Sequence, residues 1–135
     1  MSLKMIPDSH ADLLGDNVRA YAYLATTMDD GSPQLTPVWF NTDQDHILIN
    51  TQYGRVKDRN MRLRPQIALV IQDPGDPLRY VQIRGRVVGI TEEDAKQHIN
   101  ILAGKYTGKA EFKLPNPDVV RVIFSLLPDH VQVSG

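Results

Sequence analysis

The chain has 135 residues, a formal net charge of −1, 41% hydrophobic and 23% charged residues, and no cysteine. That suffices for one domain with a real core, and the missing cysteine removes disulfides, thiol catalysis and cysteine metal sites. A pI near 6.4 argues against a general nucleic-acid binder, and no apolar run nears the roughly 20 residues that span a bilayer.

The opening is too polar for a secretory signal, so a single domain over residues 1–135, in the cytoplasm and off the membrane, is expected. Pro7-Asp8-Ser9 with Asp12 reads as a helix start, with Ala11, Leu13 and Leu14 as its apolar face and Gly15 near its end. The period then changes to two: Ala22, Leu24, Thr26 and Met28 alternate with Tyr21, Tyr23, Ala25 and Thr27, a strand. Asp29-Asp30-Gly31-Ser32 is a turn in which Gly31 can take a positive φ. Leu35 to Phe40 is the returning strand, and Pro37 within it requires an edge or a bulge. After a second turn at Thr42 to Asp45, His46 to Thr51 is a third strand.

Gly54 to Pro65 reads as a short helix with Val56, Asn60 and Leu63 on one side. Ile67 to Gln72 is a fourth strand, and Asp73 to Pro77 breaks the chain. Arg79 to Ile90 is a long strand whose alternation slips at Gly85 to Val88, as at a bulge. Thr91-Glu92-Glu93-Asp94 resembles a capping box for a helix with Ala95, Ile99, Leu102 and Ala103 as its core stripe, ended by Gly104. Val119 to Leu127 and Val131 to Val133 are the last strands, separated by Pro128-Asp129. Strands at hairpin spacing with few helices imply a mainly β, six-stranded antiparallel barrel. Val119 to Phe124 is apolar on both faces apart from Arg121, which fits either a subunit contact or cover by the chain's own helices.

The helix after Gly54 carries the strongest chemical signal. Arg55, Lys57, Arg59, Arg62 and Arg64 against Asp58 give this segment a net +4 in a chain of net −1. Arg55 and Lys57 fall in the first turn, where the helix dipole disfavours cations. A solvated face is one explanation; a bound phosphate, sharing those cations with the free N–H groups, is the other. The strand–loop–helix setting favours phosphate. The four histidines (His10, His46, His98, His130) show no metal-ligand spacing, and no Gly-x-Ser-x-Gly, Gly-x-Gly-x-x-Gly or Walker loop is present. Trp39 is either a core or interface residue or one wall of an aromatic cofactor site. A phosphorylated planar cofactor would use both features.

Ala25-Thr26-Thr27, Asp30 to Phe40, Gly54 to Met61 and Arg79 to Arg86 occur in an order and spacing that resemble the pyridoxamine 5′-phosphate oxidase-like split-barrel flavoproteins. The similarity is to their short deazaflavin/flavin-dependent reductase branch, and it runs from about Asn17 to Val133. It implies a homodimer of six-stranded split barrels with cofactor sites at the subunit interface. It implies coenzyme F420 or FMN, with Arg55 and Lys57 on the phosphate and Asn60 and Arg59 supporting that loop. By the same resemblance Gln34, Thr36, Pro37 and Val38 lie along the ring system and Asn50 and Thr51 near the ring and ribityl chain. Arg79 and Tyr80 approach from the other subunit. The arginine-containing C-terminal segment that pyridoxamine phosphate oxidases use on their substrate is not visible after Leu127, so vitamin B6 oxidation is not expected. The expected activity is hydride transfer from the reduced deazaflavin to a small unsaturated substrate, with no identifiable acid or base and no metal. An FMN enzyme and a non-catalytic carrier of flavin, haem or a linear tetrapyrrole are the rival readings.

Overall fold

A computed structural model describes residues 3–135. After short 3-10 helices at Leu3–Met5 and Asp8–Leu14 come β1 (Ala22–Thr27), β2 (Pro33–Val38), β3 (Phe40–Thr42) and β4 (Ile47–Gln52). Then follow α1 (Val56–Leu63), β5 (Gln66–Asp73), β6 (Asp76–Thr91), α2 (Ala95–Thr107) and β7 (Arg121–Ser134). The sheet has the order β2-β1-β5-β6-β7-β4-β3, all neighbours antiparallel.

The topology explains why the sheet curls. β2 and β3 occupy opposite edges, yet only Trp39 separates them in sequence. One residue spans under about 4 Å, so the two edges must approach each other at Trp39 and the sheet closes as a split barrel. The barrel has seven strands and not six, because the expected Leu35–Phe40 strand divides at Trp39. Its first part pairs with β1 and its second with β4. Pro37 sits on the edge strand β2, where a missing N–H costs no ladder bond.

Period-two alternation places Leu24, Ile47, Ile49, Leu69, Ile71, Val81, Ile83, Val122, Phe124 and Leu126 in the core, joined by Phe40 and by Met61 of α1. Full burial of each such side chain contributes roughly 1.5–3 kcal/mol. β7 lies inside the sheet, and α2 of the same chain packs on β7 and β4. The helix α2 of the same chain thus covers part of the second face of the 119–124 segment, while Val120 is left 39% exposed.

Four local expectations are corrected. The α2 helix runs past Gly104 and ends at Gly108, whose φ of 75° supplies the left-handed cap. It begins without a capping box: Thr91 Oγ1 accepts the Glu93 N–H, and Asp94 takes a φ of 58°. The last strand is continuous through Pro128, because Pro128 falls opposite Gly85, where the β6–β7 register shifts. In α1 the buried residues are Asp58, Asn60 and Met61, while Leu63 is 68% exposed.

Candidate functional site

Gly54, with a φ of 88°, turns the chain from β4 into α1. Asp58, at 1% exposure, organises this corner: its Oδ2 accepts the Gly54 N–H at 2.9 Å and its Oδ1 accepts Arg62 Nε at 2.9 Å. Arg59 donates to the Gly54 carbonyl at 2.8 Å. Two of the five cations thus hold the corner. Arg64 pairs with Asp29 and donates to Thr27 O and Asn60 Oδ1.

Arg55 and Lys57 are different. Arg55 is the residue preceding α1, its side chain makes no cap, and no ion pair among the described residues includes either of them. Burial, then Arg55, then Arg121 pull the Lys57 ammonium below the ordinary lysine range. Arg121, at the start of β7, is 7% exposed, and burial followed by the charge of Arg55 pulls it down to about 10. Lys57 and Arg121 are partly desolvated, lie close enough to the exposed Arg55 and to each other to repel, and have no carboxylate partner, an arrangement unfavourable in isolation and suited to an anion.

Arg121 is fixed by neutral groups. Its Nε donates to Asn50 Oδ1 at 2.8 Å, and Asn50 Nδ2 donates to Ala95 O at 2.8 Å. The same amide meets His98 Nδ1 at 3.0 Å, and His98 Nε2 meets Asn41 Oδ1 at 2.8 Å. Burial, and then the charge of Arg121, push His98 down to about 4, so the ring is neutral at pH 7.

Beside these groups lies a cleft of about 310 Å³. Pro37, Val38, Trp39, Ile99, Phe112 and Pro115 form its apolar walls, and Asn50, Thr51, Gln52, Arg55, Lys113 and Arg121 its polar side. Trp39 stacks on Tyr106 at 5.3 Å and meets Phe112 edge-on at 6.0 Å, so it is packed on its own chain and also faces the cleft. The volume is at the low end for small-molecule sites. The arrangement sets a cluster of cations beside an apolar, partly aromatic wall.

Of the residues expected from sequence, the fold gathers Arg55, Pro37, Val38, Asn50 and Thr51 at the cleft, with Lys57 coupled to Arg55. Gln34 and Thr36 share the inward face of β2, where Gln34 Oε1 accepts from Thr26 Oγ1 at 3.2 Å. Asn60 is buried and donates to Thr26 Oγ1 at 3.0 Å, tying α1 to β1. Arg79 is held by Asp12, Asp73 and the Ser9 carbonyl, and neither it nor Tyr80 lines the cleft of its own chain. Sequence reasoning missed Gln52, Ile99, Phe112, Lys113, Pro115 and Arg121 as lining residues. For Arg121 a signal existed: it is the one charged residue in an otherwise apolar segment. A wider depression of about 700 Å³ lies elsewhere on the sheet, near Gln66, Arg84 and His130, and none of the expected cofactor residues lines it. Among the described residues no group of three or more His, Asp or Glu side chains could hold a metal, and no helix is long and apolar enough to cross a membrane.

Residues 17–134 match the family described as pyridoxamine 5′-phosphate oxidase. A solved protein named F420 reductase is 29% identical, covering 94% of this chain and 98% of its own, with a TM-score of 0.81. The haem storage protein HutZ of Vibrio cholerae (16% identical, 100% and 96% covered, TM-score 0.67) shares the fold. So does a conserved hypothetical protein of Mycobacterium tuberculosis (19%, 96% and 84%, 0.70). No curated protein matches the sequence.

Proposed function

Because the chain belongs to the pyridoxamine 5′-phosphate oxidase family, we propose that it is an oxidoreductase working with a phosphorylated flavin-type cofactor, coenzyme F420 in the first place. The observation that carries this reading is the pair Arg55 and Lys57, unpaired cations at a helix start beside an aromatic-walled cleft. The similarity to a protein named F420 reductase favours the deazaflavin, and FMN, which presents the same phosphate and a similar ring, is the alternative. The likeness to the haem storage protein concerns the fold, and no cleft-lining histidine offers an axial ligand for haem.

When bound, the cofactor supplies the hydride chemistry. Arg55, Lys57 and the free N–H groups of the first turn of α1 hold its phosphate. Trp39, Pro37 and Val38 would give its ring an apolar wall and exclude water, Thr51 would lie beside it, and Asn50, whose amide is engaged by Arg121, Ala95 and His98, would act by holding Arg121. No histidine or carboxylate lines the cleft, so the protein contributes binding and orientation, which positions a small unsaturated substrate over the ring. The proton comes from solvent or a nearby tyrosine.

A homodimer is part of the proposal, with a second copy closing the open side of the cleft. Arg79 already has two carboxylate partners within its own chain, so of the pair expected to cross the interface Tyr80 is the one free to reach a cofactor. Absorption spectra of the purified protein, followed by titration with both cofactors, test the reading. Binding of the deazaflavin with oxidation of its reduced form by enones or quinones supports it. Binding without turnover points to a carrier, and binding of neither cofactor contradicts it.

A further inference from the structure

We propose that Arg121 is a third ligand of the anion site and that His98 is the residue positioning it, acting through Asn50. The inference deepens the reading above and rests on it for the identity of the anion as a cofactor phosphate.

Arg121 can only donate hydrogen bonds, and this fixes the direction of the whole chain behind it. Since Arg121 Nε donates at 2.8 Å, the Asn50 atom facing it is the carbonyl oxygen. The Asn50 amide nitrogen therefore faces Ala95 O and His98 Nδ1. His98 Nδ1 must then accept, its proton is on Nε2, and Nε2 donates to Asn41 Oδ1 at 2.8 Å. One arrangement of protons satisfies all four residues. It requires a neutral imidazole, which burial and the charge of Arg121 enforce by holding His98 near 4.

The chain occupies one of the five N–H donors of Arg121. The guanidinium also lies over the Phe112 ring at 5.3 Å and lines the cleft with Arg55. Glu92, Asp94 and Asp118 border a neighbouring depression that Arg121 also reaches, and none of them forms an ion pair with it. No buried side-chain nitrogen or oxygen among the described residues lacks a partner, so its remaining donors are not sealed in the interior, and the guanidinium lines both the cleft and that depression. A rigidly held, nearly buried guanidinium with free donors and two cationic neighbours is an anion ligand. His98 does not touch the anion; it sets the amide that sets the guanidinium.

The test measures inorganic phosphate affinity at constant ionic strength on the full chain, by thermal shift and calorimetry, with FMN and coenzyme F420 titrated in parallel. Arg121→Gln is expected to weaken phosphate binding about tenfold or more, as loss of a charge-assisted contact does. His98→Leu is expected to weaken it severalfold, and His98→Gln, which can accept at one atom and donate at another, to restore it. In the Arg121→Gln background His98→Leu should cause no further loss, an outcome that a merely structural role would not give. Wild-type phosphate affinity in Arg121→Gln overturns the first part. Equal losses from His98→Leu in both backgrounds overturn the second. If phosphate binds as described while neither FMN nor the deazaflavin binds, the anion site stands and the cofactor reading falls.

Discussion

The carboxylate of Asp58 accepts the backbone N–H of Gly54 at 2.9 Å, so the loop that carries Arg55 is closed by a side chain from the helix it introduces. The acid sits in the first turn of α1, where the dipole favours it, and its second oxygen holds Arg62. Asp58→Ala should destabilise the protein by about 2–3 kcal/mol, since it leaves a backbone donor and a guanidinium unpaired. It should also weaken cofactor binding although Asp58 touches no ligand. Chemical denaturation and cofactor titration of the variant measure both effects.

Stability should fall in mild acid because of His98. Its folded-state value near 4 lies below the ordinary 6.5, so between those values the unfolded chain takes up the proton first. The stabilisation is complete above about pH 6.5, declines as pH drops, and is lost by about pH 4, with an upper bound of about 3 kcal/mol. The groups facing His98 are Asn41 from β3, Asn50 from β4 and Arg121 from β7, of which only Arg121 is charged. Asp12, lowered chiefly by its hydrogen bond to Arg79, and Asp73, lowered by the Gly75 N–H and then Arg79, add losses only below about pH 4. Denaturation curves from pH 7 to 4 should be flatter for His98→Gln than for wild type.

Gly85→Ala should be severely destabilising. A Cβ at Gly85 would stand 2.2 Å from the Leu127 carbonyl oxygen and 3.2 Å from Pro128 Cα, backbone atoms of the paired strand that cannot rotate away. Relief requires separating β6 from β7 at the bulge, at a cost of about 3 kcal/mol or more. A melting temperature within a degree or two of wild type would show that the strands part there easily.

Much of this was legible in the sequence, and the misses share a cause. Strand positions, the Gly31 turn, the edge placement of Pro37 and the slip near Gly85 follow from period and from proline and glycine chemistry, which act locally. The division of the strand at Trp39 was not legible, because it depends on which distant strand each half joins. The role of Arg121 was half legible: its charge stood out in an apolar segment, but its partner Asn50 lies 71 residues away. For Asn60 the resemblance implied support of the loop, and the contact of its amide with Thr26, 34 residues away, was not legible in the sequence.

Trp39 is the only tryptophan, and it lines the cleft, which makes it a direct reporter. Its fluorescence should be strongly quenched when a flavin or deazaflavin ring binds beside it, and unchanged on adding inorganic phosphate alone. Trp39→Phe should keep the fold, with modest loss of affinity, because Phe retains part of the stacking on Tyr106. Full retention of fluorescence at cofactor saturation would place the ring elsewhere.

Whether Arg55 and Lys57 hold a cofactor phosphate is decided by one titration. The wild-type protein and the Arg55→Gln/Lys57→Gln double variant are each titrated with coenzyme F420 and with FMN, folding being verified by circular dichroism. Two charge-assisted contacts contribute roughly 1.5–3 kcal/mol each, so the folded double variant should bind the preferred cofactor at least about a hundredfold more weakly. An affinity equal to that of the wild type would contradict the account.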